Sequence, residues 1–142
     1  METDNKIVIT VEVTVNAPMA KVWDYWTKPT HITQWCNASD DWHAPYAEND
    51  LNINGKFKTT MAAKDGSMSF DFEGVYTNIR EHKLIEYTIL DGRKVRITFS
   101  QPDDEQTQIV ETFDAEDINP FEMQQAGWQS ILDNFKKYTE AN

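Results

Sequence analysis

Asn119-Pro120-Phe121-Glu122-Met123-Gln124-Gln125-Ala126-Gly127-Trp128-Gln129-Ser130-Ile131-Leu132-Asp133-Asn134-Phe135-Lys136-Lys137-Tyr138 decides how the rest of the chain is read. It has the pattern of one long helix. Asn119 suits the N-cap, Pro120 the first helical position, and Glu122 the closing side of a capping box. Ile118 and Met123 are spaced for a hydrophobic staple. At about 100° per residue, Phe121, Trp128, Ile131, Leu132, Phe135 and Tyr138 form one apolar stripe. Glu122, Asp133, Lys136 and Lys137 fall opposite, and the lysines suit the negative end of the helix dipole. Such a helix is roughly 30 Å long and needs a broad apolar surface to cover. Gln124 interrupts the stripe. It is either a satisfied core amide or a polar group inside a binding cavity. Gly127 weakens the helix and marks an expected close approach by another segment.

The surface to be covered lies upstream. Residues 6–15 alternate, with Ile7, Ile9, Val11, Val13 and Val15 on one face of a strand. Asn16-Ala17-Pro18 opens a helix with Asn16 as its expected cap; Val22, Trp23 and Trp26 give it an apolar side. Lys28-Pro29 breaks it, and a second short helix runs from about Thr30 to Trp35. From Lys56 onward five strands follow. Phe57, Thr59 and Met61 alternate, then Phe70, Phe72, Gly74 and Tyr76, then Ile85, Tyr87 and Ile89, then Val95, Ile97 and Phe99, then Ile109, Glu111 and Phe113. Lys64-Asp65-Gly66-Ser67, Asp91-Gly92 and Pro102-Asp103-Asp104 are turns between them. Hairpin-linked strands form an antiparallel sheet with one apolar face, and that face is the natural partner of the long helix. The fold class is α+β, with a sheet of about six strands around the C-terminal helix and two short helices after the first strand. Residues 1–142 read as one domain.

Residues 36–55 are polar and rich in turn formers, and read as an irregular connection. Trp42, His43 and Tyr46 are unusual in a solvated loop. They either pack it onto the core or make it a lid or rim.

Composition limits the function classes. Lys plus Arg number 13 and Asp plus Glu 24, for a net charge of −11. That opposes nucleic-acid backbones and anionic membrane surfaces as partners. No apolar run is long enough to span a bilayer, no signal-peptide pattern is present, and Cys36 is the single cysteine. A cytoplasmic protein is the expectation. His31, Cys36, Asp40, Asp41 and His43 are the one dense set of potential metal ligands, and their spacing matches no zinc pattern. Neither metal nor cofactor is called for. His82 reads as a turn residue. Glu111 shares a strand face with Ile109 and Phe113. If that face is the inner one, burial should raise its pKa; if Val110 points inward instead, Glu111 is solvated.

In its ordered set of short motifs the chain resembles the START-like (SRPBCC) superfamily with the helix-grip fold. Within that superfamily it is similar to bacterial single-domain relatives of the Hsp90 ATPase activator's C-terminal domain. The motifs are Ala17-Pro18 with Val22-Trp23, Trp35, Asp41-Trp42-His43, Asn54-Gly55-Lys56-Phe57, Lys64-Asp65-Gly66-Ser67, Phe70-Asp71-Phe72-Glu73-Gly74, Asp91-Gly92-Arg93, Glu111-Thr112-Phe113 and Gln125-Ala126-Gly127-Trp128. The chain departs from the family in having Asn54-Gly55 where a double glycine is common, and Cys36 where an aromatic is common. The resemblance implies a curved sheet gripping the last helix, with a cavity for an apolar or amphipathic small molecule.

The leading expectation is a small-molecule binding module for an apolar or aromatic ligand. The ligand-binding candidates are Trp42, His43, Phe57, Phe72, Tyr87, Phe99, Glu111, Gln124, Trp128 and Leu132. A cyclase- or hydrolase-type enzyme using Glu111, Gln124 or His43 is the alternative from another class. A chaperone-interaction module is the third, and the net charge disfavours its contact with acidic chaperone surfaces.

Overall fold

The computed structural model describes residues 7–142. Lys6, included in the expected first strand, lies outside the described residues. The elements are β1 (Val8–Val15), α1 (Met19–Thr27), α2 (Pro29–Trp35), β2 (Trp42–Asn49), β3 (Lys56–Ala63), β4 (Ser69–Arg80), β5 (Leu84–Ile89), β6 (Lys94–Asp103), β7 (Gln106–Asp114) and α3 (Phe121–Ala141). Among the described residues seven strands form one antiparallel sheet in the order β1-β7-β6-β5-β4-β3-β2. β2 to β7 are a meander, and β1 closes on β7 with Val11 opposite Glu111.

The seventh strand corrects the reading of residues 36–55 as irregular. Trp42–Asn49 is an edge strand paired with β3, and its register shifts between His43 and Tyr46. Pro45 sits in that interval and has no N–H to donate, which an edge strand or bulge tolerates. With several of its residues exposed, the strand lacks a continuous apolar face to announce it.

Lys28 explains the break between the short helices. It is extended (ψ 129°), as a residue before proline must be, so α1 stops and Pro29 starts α2. Pro18, not Asn16, precedes α1. The Asn16 N–H instead donates to Glu140 at the far end of α3 (2.7 Å).

The start of α3 also differs from expectation. Pro120 precedes the first helical residue, and no side chain caps it. The Asn119 side chain is occupied by Glu116, so it cannot serve as cap. Ile118 (88 % exposed) and Met123 (59 %) form no staple, and Phe121 is 39 % exposed. The buried face begins a turn later and includes Leu132 and Phe135. Phe135 meets the edges of Trp26 and Trp35, each with ring centroids 4.9 Å away.

A polar stripe holds α3 along the free edge of β1. Gln125 Nε2 donates to the Thr10 carbonyl (3.2 Å), Gln129 Nε2 to that of Glu12 (3.0 Å), and Lys136 Nζ to that of Thr14 (2.8 Å). Lys136 is therefore not on the outward face. These side chains satisfy main-chain groups that an edge strand would otherwise leave for water or another strand.

Candidate functional site: a cavity under the long helix

Between α3 and the inner sheet face lies a cavity of about 500 Å³. Strand alternation builds its floor. Phe57 on β3, Phe72 and Tyr76 on β4, Tyr87 on β5, Ile97 on β6 and Glu111 on β7 all line it. Trp128 and Ile131 contribute the α3 wall, and Trp26, Ile32, Trp35 and Cys36 the end formed by the short helices.

The rings brace one another. Phe57 meets Tyr87 edge-on (4.7 Å), Phe72 meets Trp128 edge-on (6.0 Å), and Trp128 stacks on Phe113 (3.9 Å). Gly74 permits this packing: a Cβ there would come within 2.7 Å of the Phe57 ring. Tyr76 hydrogen-bonds Asn49 through its hydroxyl (2.5 Å), and Asn49 donates to the Thr27 carbonyl (2.6 Å), tying β4 and β2 to the end of α1.

Glu111 faces inward and is 5 % exposed, so the alternative with Val110 as the inner residue does not apply. It has no hydrogen bond or ion pair among the described residues. Burial alone pushes its carboxyl up to about 8. The Cys36 thiol is raised to about 12 by burial and then by the Glu111 charge. Burial raises the Tyr87 hydroxyl well above its usual range, with the Glu111 charge adding to it. Cys36 and Tyr87 thus stay protonated around neutrality.

Gln124 also lines the cavity, but its amide is committed elsewhere. Its Oε1 accepts from the Glu116 N–H (2.9 Å), and its Nε2 donates to the carbonyls of Asn119 (2.8 Å) and Glu116 (3.2 Å). Of the two readings of this residue, the satisfied amide describes it: Gln124 clasps the loop between β7 and α3. Arg93 sits by that loop, held by Asp91 (2.9 Å) with Glu116 at 3.9 Å.

Of the ten residues picked from sequence, Trp42, His43, Phe57, Phe72, Tyr87, Glu111, Gln124 and Trp128 line the cavity, with His43 exposed at the rim. Phe99 does not. Its ring is wedged beside Trp23 (5.2 Å) and Trp26 (5.8 Å) beneath α1. Leu132 does not either: it lies about 100° round the helix from Ile131 and is fully buried in the core. Gly127 is also corrected. A Cβ there would meet nothing within 4 Å, so the glycine leaves open space in the cavity wall. Trp26, Trp35, Cys36 and Asn49 were missed. The strand alternation that selects Phe72 also puts Tyr76 on the inner face and is the signal for it.

His31 is drawn away from the other sequence candidates for metal binding. It hydrogen-bonds Tyr138 (2.7 Å), stacks on Tyr25 (3.9 Å) and has Asp24 at 3.9 Å. Among the described residues no group of three or more His, Cys, Asp or Glu is arranged to hold a metal ion. No helix among them is long and apolar enough to cross a membrane.

A long C-terminal helix gripped by a curled antiparallel sheet is the helix-grip arrangement of START-like proteins. The chain belongs to the family described as Activator of Hsp90 ATPase homolog 1-like protein, whose model matches residues 16–140. It is similar to an AHSA1-like protein from Aeromonas hydrophila, with 41 % identity over 95 % of this chain and 93 % of that one, and a TM-score of 0.88. A solution structure from Cytophaga hutchinsonii shares 62 % identity over 98 % and 94 % of the two chains, with a TM-score of 0.81. A crystal structure from Nitrosomonas europaea, 18 % identical over 99 % of both chains with a TM-score of 0.80, shares the fold. Among curated proteins none matches the sequence significantly.

Proposed function

We propose that this protein is a cytoplasmic binding module that holds a small apolar or aromatic molecule between α3, the inner sheet face and the segment 36–55. The observation that carries this is the cavity of about 500 Å³ with mostly apolar and aromatic walls and one buried carboxyl. Its size and its few polar groups are those of small-molecule sites. The pairing of Trp42 with Phe70 at the rim, centroids 6.0 Å apart, makes β2 one lip of the opening.

The enzyme reading receives less support. Glu111 would be its acid–base group, but the titratable neighbours Cys36 and Tyr87 are held protonated and supply neither nucleophile nor base. Gln124 is committed to the loop, and His43 is exposed at the rim.

Native mass spectrometry of the purified protein tests the binding reading. The expected result is a co-purified small molecule, lost when Gly127→Phe fills the cavity. A protein that carries no adduct and takes up none from a library of aromatic and acyl compounds would refute it.

A further inference from the structure

Glu111 is the least explained group in the cavity. Its cross-strand neighbours Val11 and Ile97 are apolar and leave its carboxyl without a hydrogen bond. The titratable groups facing it are the Cys36 thiol, beyond α2, and the Tyr87 hydroxyl on β5, both acids. Among the described residues Arg93 is the one lysine or arginine lining the cavity, and it is held by Asp91 with Glu116 beside it. The described residues give this carboxyl neither a hydrogen-bond partner nor a counter-charge, so its ionised form needs a cation brought from outside.

We propose that the ligand is an amphipathic amine whose ammonium group pairs with Glu111 while its apolar part lies among Phe57, Phe72, Tyr87 and Trp128; this rests on the cavity being a ligand site. A ligand carboxylate could accept hydrogen bonds from these protonated acids, but among the described residues it would find no free cation in the interior to offset its own desolvation. An alcohol or ketone would hydrogen-bond the protonated Glu111 carboxyl but add no charge–charge attraction. An ammonium supplies that attraction, and the surrounding aromatic faces favour a cation as well. The net charge of −11 raises the local concentration of cations around the protein.

The proton balance makes this testable. With the cavity empty, Glu111 holds its proton up to about pH 8. Entry of an ammonium ion forms the carboxylate–ammonium pair and releases that proton to solvent. Amine affinity therefore rises with pH from neutrality toward that value. An alcohol, which uses the protonated carboxyl as donor, gains nothing over the same range and weakens above it.

Calorimetry with phenylbutylamine, phenylbutanol and phenylbutyrate, at about pH 6.5 and about pH 8 and in buffers of different ionisation enthalpy, tests the proposal. The amine should bind at least about tenfold more tightly than the alcohol, with its lead widening at the higher pH and a proton released at the lower. Glu111→Gln, whose amide can still hydrogen-bond but cannot ionise, should abolish that lead, the proton release and the pH dependence of amine binding. Equal binding of amine and alcohol by the wild type, tighter binding of the butyrate, or no proton release would overturn the amine assignment while the cavity reading stands. Failure of all three compounds to bind would remove both.

Discussion

Gln129 and Glu12 hold each other through both faces of one side-chain amide. Gln129 Nε2 donates to the Glu12 carbonyl at 3.0 Å, and its Oε1 accepts from the Glu12 N–H at 3.4 Å. This mimics a strand partner along the free edge of β1. Gln129→Ala should lower unfolding free energy by about 1–2 kcal/mol, since two main-chain groups lose their partner but can still reach water. Denaturant titration of the variant checks this, and an unchanged midpoint would mean the clasp contributes nothing.

Leu132 is completely buried within the core. Leu132→Ala should destabilise the protein by roughly 2–5 kcal/mol, through lost apolar contacts and the void left behind. A loss below about half a kilocalorie would be incompatible with a packed core at this position.

Gln124→Leu keeps the volume but strips the loop from β7 to α3 of its three hydrogen bonds. Stability should fall by about 1–2 kcal/mol, because partly buried main-chain groups of the loop lose these bonds and the leucine offers none in return. Amide exchange at Glu116 should accelerate with it. A neutral or stabilising outcome would show that the loop does not depend on the amide.

Glu111 gives stability a pH dependence of definite sign. Unfolded, its carboxyl ionises near 4.5; folded, it keeps its proton up to about 8. Between these values the unfolded chain binds fewer protons than the folded one, so this group's contribution declines as pH rises and levels off above about 8. Glu111→Gln should therefore match the wild type near pH 4 and exceed it by on the order of a few kcal/mol near pH 9. Thermal unfolding across that range checks it. A constant difference between the two proteins would mean Glu111 titrates normally in the fold.

Much of the fold was legible because period decides it. Ile9, Val11 and Val15 on β1, the aromatic alternation of β3 to β6, and the turns at Gly66 and Gly92 (φ +81° and +96°) are local signals that the tertiary structure obeys. β2 was not legible: an edge strand with Pro45 and a half-exposed face has no apolar alternation to read. At the start of α3, Asn119 and Pro120 carried the right residue types. Glu116, three positions before Asn119, and Gln124, five after it, decide the outcome through hydrogen bonds that no local pattern displays. For the cavity, period 2 selected the strand residues well. It failed at Phe99, where α1 rather than α3 covers the sheet, and on the helix at Leu132. There a step of about 100° separates wall from core, finer than an apolar stripe can resolve.

If the space under α3 is a binding site, Gly127 is the place from which to close it. A side chain there enters open space, so Gly127→Phe fills the cavity without a backbone clash. Chemical-shift mapping of wild type and variant against aromatic and acyl compounds is the deciding measurement. Shifts are expected at Phe57, Tyr87, Glu111 and Trp128 in the wild type, and their loss in a folded Gly127→Phe variant. Shifts confined to the outer face of α3, or equal binding by the filled variant, would contradict it.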